Sequence, residues 1–212
     1  MSTPQSSPSR VGKAPRIGVL GCGYWGKNLV RNFHDLGVLQ RVCDPSAAGR
    51  EKARSIAPGV DVQEDFAAMA QSDIDGVVVA TPAVTHYELC RDLLRAGKDV
   101  FVEKPMALRV EHAVELVELA QRHERILMVG HVLEYHPGVS LIRDFLAEGR
   151  LGKIHYVYSN RLNLGKFAAK RIFFGVLRLM ISRSFCVSSA PCRWRWCPAV
   201  ALTCNPIFPT SL

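Results

Sequence analysis

Three glycines in the stretch Arg16 to Gly26, RIGVLGCGYWG, stand at the spacing G-x-G-x-x-G: Gly21, Gly23 and Gly26. A short apolar run, Ile17 to Leu20, precedes them, and Leu29, Val30, Phe33 and Leu36 follow at helical spacing up to Gly37, a residue suited to a helix C-cap. Such a pattern suits a dinucleotide. The first glycine permits a tight turn, the second lets backbone approach a pyrophosphate, and the third lets the helix pack closely on the strand. The helix start then offers unpaired N–H groups and a positive dipole end to anionic oxygens. Asp44 lies 18 residues beyond Gly26, at the end of the next apolar stretch, where such a site wants a carboxylate for the adenosine ribose hydroxyls. An acid there favours NAD over NADP, because a 2′-phosphate would meet negative charge. Asp44-Pro45-Ser46 also reads as a helix start, so a capping role for Asp44 stays open.

Glu103-Lys104-Pro105 is the second group able to do chemistry. A lysine before proline and directly after a buried strand is held in extended backbone and aims its amine into a cleft. The same lysine in an ordinary loop would simply be solvated. The carboxyl edge of a parallel sheet is where a nicotinamide would lie, and this favours the chemical role.

The elements that must position these residues alternate. Helical segments are expected at 46–57, 65–70, 85–96 and 109–123, the last with Val110, Val114, Val117 and Ala120 at helical spacing. Between them, apolar runs at 60–62, 74–80, 100–102 and 126–129 read as strands, the second ending in Thr81-Pro82. The alternation predicts an α/β fold, a Rossmann doubly wound parallel sheet, ending near residue 130. A helix over 139–148 and a half-buried strand over 153–162 then open an incomplete α+β substrate domain.

Composition excludes several classes. The net charge of +8 comes mostly from residues 167–212, which hold six basic residues and no acid; the rest carries 21 Lys and Arg against 19 Asp and Glu. A near-neutral body argues against a nucleic-acid partner. No apolar run reaches membrane-spanning length. Residues 1–15, rich in Ser, Pro and Thr, read as a disordered tail without a signal-peptide core, which points to a cytoplasmic protein. Cys186, Cys192, Cys197 and Cys204 lack the C-x-x-C spacing and have no His among them, so no metal site is expected.

Together the motifs GCGYWG (21–26), ATPAVTH (80–86), EKP (103–105) and GHVLEYHP (130–137) resemble the Gfo/Idh/MocA oxidoreductases. SNRLNLGK (159–166) resembles the branch that oxidises C3 of UDP-N-acetylglucosamine or its uronate for polysaccharide biosynthesis. The likeness covers about residues 15–166. It implies domains at 16–130 (NAD-binding) and 131–166 (the start of a substrate and oligomerisation domain), with NAD as cofactor and NADP disfavoured. It assigns Gly21, Gly23, Tyr24, Trp25 and Gly26 to the pyrophosphate loop and Asp44 to the adenosine ribose. Thr81, His86 and Glu103 fall on the nicotinamide ribose side, and Lys104 becomes the catalytic lysine that bonds the hydroxyl being oxidised. Arg161 and Asn163 become candidates for sugar or diphosphate contacts, although polar residues at a strand end would look the same.

The likeness stops after Lys166. Codons can be chosen for residues 168–186 so that reading from the third nucleotide gives REENILWSFAPHDISVIL, which resembles the family's continuation, His-Asp pair included. A frameshift near residue 167 is therefore expected, with 167–212 out of frame and disordered, catalysis impaired and the family's homo-oligomer compromised. The alternative is a non-catalytic NAD-binding fragment.

Overall fold

In the computed structural model the described residues are 14–153, together with the backbone of two short strands further on. The chain divides into two compact units, Met1–Gly130 and His131–Leu212.

The first unit alternates strand and helix from its start. Its strands are β1 (Ile17–Leu20), β2 (Leu39–Cys43), β3 (Asp61–Gln63), β4 (Gly76–Val79), β5 (Asp99–Val102) and β6 (Leu127–Val129). Its helices are α1 (Gly26–Asp35), α2 (Ala47–Ile56), α3 (Ala67–Gln71), α4 (His86–Arg95) and α5 (Val110–Arg122), with a 3-10 turn at Ala83–Thr85 before α4. All neighbouring strands pair in parallel in the order β3-β2-β1-β4-β5-β6. This is the Rossmann arrangement, and its reversal of strand order falls between β1 and β4.

Strand alternation splits the apolar residues between two cores. Val19, Val42 and Val78 join Val30 and Ala53 of α1 and α2 on one face. Leu20, Cys43, Val77, Val79, Val100 and Val102 join Met69, Leu93, Leu94 and Leu116 from α3, α4 and α5 on the other. Central strands buried on both faces must be continuously apolar, as the GVVV of β4 is. Gly37 and Gly97 take positive φ just beyond α1 and α4, as glycines closing helices do.

One helical face differs from the sequence expectation. Of Val110, Val114, Val117 and Ala120, only Ala120 is buried; α5 packs through Leu116, Leu119 and Ala120, and the three valines stay exposed. A stripe of valines two turns long and a stripe of leucines half a turn away give the same period, and the larger side chains take the core.

The second unit holds a 3-10 turn at Val132–Tyr135 and α6 (Pro137–Ala147). This helix begins two residues earlier than the pattern suggests. Pro137 has its φ preset for the first helical position, and His136 Nδ1 accepts from the Gly138 N–H as the cap. Strands β7 (Arg193–Trp196) and β8 (Leu202–Asn205) pair antiparallel. The expected strand at 153–162, Arg161 and Asn163, and the tails at 1–13 and 167–212 otherwise lie outside the described residues. No helix among the described residues is long and apolar enough to cross a membrane.

Candidate active site

Each strand hands its neighbour one more backbone hydrogen bond past its carboxyl end. Asp44 N–H donates to Gln63 O, Gly21 N–H to Cys43 O, Ala80 N–H to Leu20 O, Glu103 N–H to Val79 O and Gly130 N–H to Val102 O, all at 2.8–3.0 Å. These five rungs carry Gly21, Asp44, Glu103 and the residues after Ala80 to a single edge of the sheet. Open α/β sheets bind their ligands at that edge.

The glycine loop has the room a phosphate needs. Gly21 takes φ +92°, and a Cβ on it would lie 2.7 Å from Ala80 O. At Gly26 a Cβ would lie 2.1 Å from Gly21 O, so only glycine lets α1 start this close to the turn. Gly23 is exposed, and a Cβ there would meet nothing within 4 Å. No side chain caps α1 and its first turn holds no acid; Lys27 N–H turns to Gly23 O (3.4 Å) and Asn28 N–H to Trp25 O (2.9 Å), which leaves the Gly26 N–H and the positive dipole end for an anion. Tyr24 and Trp25 are exposed on the same loop, whereas Cys22 is buried, which raises its thiol pKa and marks it as a packing residue.

Asp44 is only 7% exposed. Its Oδ2 accepts from the Cys22 N–H at 2.7 Å, tying β2 to the glycine loop, and its Oδ1 accepts from Ser46 N–H (2.9 Å) and Oγ–H (2.7 Å). The cap of α2 is Ser46, whose Oγ accepts from Gly49 N–H, so the capping duty left open for Asp44 falls two residues later. A carboxylate has about four acceptor sites. Three are used, leaving one on Oδ2.

Burial pushes the Asp44 carboxyl up, but the Ser46 hydroxyl, the N–H groups of Cys22 and Ser46 and the Arg50 guanidinium together hold it below its usual 3.8. A depressed folded pKa means that the ionised carboxylate stabilises the fold above its unfolded pKa and that this contribution is lost as pH falls through the folded value. In urea titrations, wild type is expected to exceed Asp44→Asn in stability by a constant margin at neutral pH. The margin should shrink below about pH 4. A margin independent of pH would mean that the charge on Asp44 does not support the fold.

Glu103 stands on the other side of the loop. Its Oε1 accepts from the Trp25 indole N–H at 2.7 Å, across 78 residues of sequence, and its Oε2 from the Lys104 N–H at 3.3 Å. Gly130 makes room for it, since a Cβ there would lie 2.8 Å from Oε1. His86 is 1% exposed, with Nδ1 2.7 Å from Pro105 O and Nε2 2.8 Å from Thr81 O. Both ring nitrogens thus brace the turns that flank the site. Thr85 uses its hydroxyl hydrogen on Pro82 O, so Thr81 Oγ1, 2.7 Å away, donates to Thr85 and keeps its own acceptor capacity. Lys104 is half-buried, and among the described residues its ammonium forms no hydrogen bond or ion pair.

The edge therefore brings together Gly21, Gly23, Gly26 and Asp44, and through the Trp25–Glu103 bond it joins the loop to the lysine turn. Arg161 and Asn163 fall outside the described residues. Sequence reasoning missed Ser46, Gly49 and Gly130, whose parts are set by neighbours in space. The S-x-x-G spacing after Asp44 was the one local signal. An open cradle at Gly23, an uncapped helix start and a carboxylate with one acceptor site in hand fit a dinucleotide.

The family model described as GFO_IDH_MocA, oxidoreductase family with an NAD-binding Rossmann fold, matches residues 15–131. The 2,7-anhydro-N-acetylneuraminate hydratase of Escherichia coli (strain K12) is 33% identical over 146 residues, 68% of this chain and 39% of that protein. The UDP-N-acetylglucosamine 3-dehydrogenase of Acidithiobacillus ferrooxidans is 29% identical over 155 residues, 69% of this chain and 45% of that protein. In structure, the scyllo-inositol dehydrogenase from Lactobacillus casei with bound NAD(H) and scyllo-inositol superposes with a TM-score of 0.62 at 25% identity, covering 69% of this chain and 46% of that one. The chain spans less than half the length of each of these relatives.

Proposed function

Because the chain belongs to the GFO_IDH_MocA oxidoreductase family, with its NAD-binding Rossmann fold, we propose that it descends from an NAD-dependent dehydrogenase acting on C3 of a nucleotide sugar. The observation that carries this reading is the single sheet edge that holds the glycine loop, Asp44 and the half-buried Lys104 together. Bound NAD supplies the hydride acceptor. Gly23 and the N-terminus of α1 hold the pyrophosphate, and the remaining Oδ2 site of Asp44 takes an adenosine ribose hydroxyl. Lys104 hydrogen-bonds the substrate hydroxyl and helps its proton leave, with a partner that relays it. Thr81, His86 and Glu103 hold the nicotinamide ribose side: Thr81 by direct contact, His86 and Glu103 by bracing the turns around it.

The choice of a nucleotide sugar over an inositol rests on SNRLNLGK at 159–166, where Arg161 can bind diphosphate oxygens bidentately and Asn163 can bind the sugar. A cytoplasmic setting and a small-molecule partner belong to the same proposal. So does the frameshift near residue 167, which leaves the chain as written able to bind NAD but poor at turnover. The gene's nucleotide sequence tests it directly: without REENILW after a shift of one or two bases, the idea fails.

Calorimetry with NAD on the purified chain, followed in the same sample by NADH formation with UDP-N-acetylglucosaminuronate, tests the whole. Binding without turnover is the expected result. Turnover would show that residues 167–212 supply what the family sequence otherwise provides, and would overturn the frameshift. Absence of NAD binding would overturn the cofactor reading.

A further inference from the structure

We infer that Gly49 is a specificity-determining residue for the dinucleotide: it leaves empty the space in which the Asp44 carboxylate stands, and so sets the preference for NAD over NADP. The inference rests on the reading that Asp44 faces the adenosine ribose.

Gly49 is buried in the first turn of α2. A Cβ on it would lie 2.2 Å from Asp44 Cγ, 2.3 Å from Oδ1 and 2.5 Å from Oδ2. No Cβ tolerates such contacts, so something must move. The helix is not free to do so, because Gly49 N–H is bound to Ser46 Oγ at 3.0 Å and Arg50 N–H to Ser46 O at 3.1 Å. The carboxylate is the group that gives way. Its departure breaks the bonds from Cys22 N–H and Ser46, and it removes the acceptor meant for a ribose hydroxyl.

What stays behind favours a phosphate. Arg50, held in place by bonds to Asp44 O (3.0 Å) and Pro45 O (2.9 Å), remains beside the vacated space, and its ion pair with Glu64 (3.1 Å) engages a carboxylate on an exposed side chain. In the wild type, the fixed charge of Asp44 opposes a 2′-phosphate at this place. With the charge displaced, the opposition falls and a guanidinium is at hand.

The test uses the full chain as wild type, Gly49→Ala, Asp44→Ala and the double variant, with NAD and NADP affinities from calorimetry and a thermal melt of each. Gly49→Ala is expected to weaken NAD binding at least about tenfold, the loss of one charge-assisted hydrogen bond. The ratio of NADP to NAD dissociation constants should fall by a similar factor, a change that general loosening of the fold would not produce. In the Asp44→Ala background, adding Gly49→Ala should leave the ratio unchanged and should not lower the melting temperature, since the conflicting carboxylate is gone and alanine suits a helix better than glycine. If Gly49→Ala alone does not fold, a folded double variant with the Asp44→Ala ratio supports the inference, and an unfolded one overturns it. A wild-type ratio in Gly49→Ala, or the same cost of Gly49→Ala in both backgrounds, overturns it too. Wild type binding neither dinucleotide overturns the cofactor reading and the inference with it; wild type binding NAD with an unchanged ratio in Gly49→Ala overturns the inference alone.

Discussion

Gly26→Ala is expected to abolish NAD binding and to lower the melting temperature by on the order of 5–10 °C, the effect of an overpacked contact of about 1–3 kcal/mol in a domain of this size. The added methyl would lie 2.1 Å from Gly21 O, 2.9 Å from Gly21 C and 3.3 Å from Ala80 Cβ. Two of these are backbone atoms, and Gly21 is pinned by its N–H bond to Cys43 O at 2.8 Å and by a φ of +92° that few other residues adopt. Relief therefore requires α1 to back away from the turn. That movement takes the helix N-terminus away from the phosphate position. Gly23→Ala is the informative companion. With no atom within 4 Å of its Cβ, it should fold and melt as wild type does, yet place a methyl in the cradle. An increase in the NAD dissociation constant of about 10- to 100-fold, or about 1.4–2.7 kcal/mol, is expected for it. Wild-type affinity in Gly23→Ala would mean that the pyrophosphate does not sit there.

The contrast between those two glycines marks where sequence reasoning reached and where it stopped. The triplet was legible because its spacing is local and flanked by an apolar run and a helical pattern. The parallel sheet was legible for the same reason: GVVV and its neighbours are short apolar runs separated by helical segments, and only a sheet covered on both faces suits them. The turn at Gly21 and the close start of α1 at Gly26 were legible with the triplet; the parts of Gly49 and Gly130, outside it, were not. Gly49 answers to Asp44 within one strand-to-helix turn, and Gly130 answers to Glu103 across the ends of two strands, β6 and β5. The Trp25–Glu103 bond spans 78 positions and exists only because β1 and β5 flank β4. Likewise, nothing in the ATPAVTH motif tells that His86 is enclosed with both nitrogens on backbone carbonyls. On α5, period alone could not choose between a valine and a leucine stripe; the depth of the core chose.

Lys104→Met, made in a chain carrying the proposed continuation REENILW after residue 167, is expected to lower kcat by about 10²–10⁴-fold, the usual contribution of a positioned acid or base. NAD affinity should stay within about threefold, because the proposed cofactor contacts fall to the glycine loop, Asp44 and Thr81, with His86 and Glu103 bracing the turns, and not to the Lys104 ammonium. The substitution is well suited to separate chemistry from folding. Among the described residues the Lys104 ammonium holds no partner, and its backbone N–H bond to Glu103 Oε2 survives any side-chain change. Met keeps the length of the side chain, so the melting temperature should hold. A readout in two coordinates follows, with affinity unmoved and turnover lost. Loss of both together would assign Lys104 to the support of the cofactor site instead, and full turnover would exclude it from proton transfer. Comparing a nucleotide sugar with an inositol on the same chain decides the substrate class. Arg161 has a diphosphate to bind only in the first case, so Arg161→Lys, which keeps the charge and loses the bidentate fork, should weaken the nucleotide sugar and leave an inositol untouched.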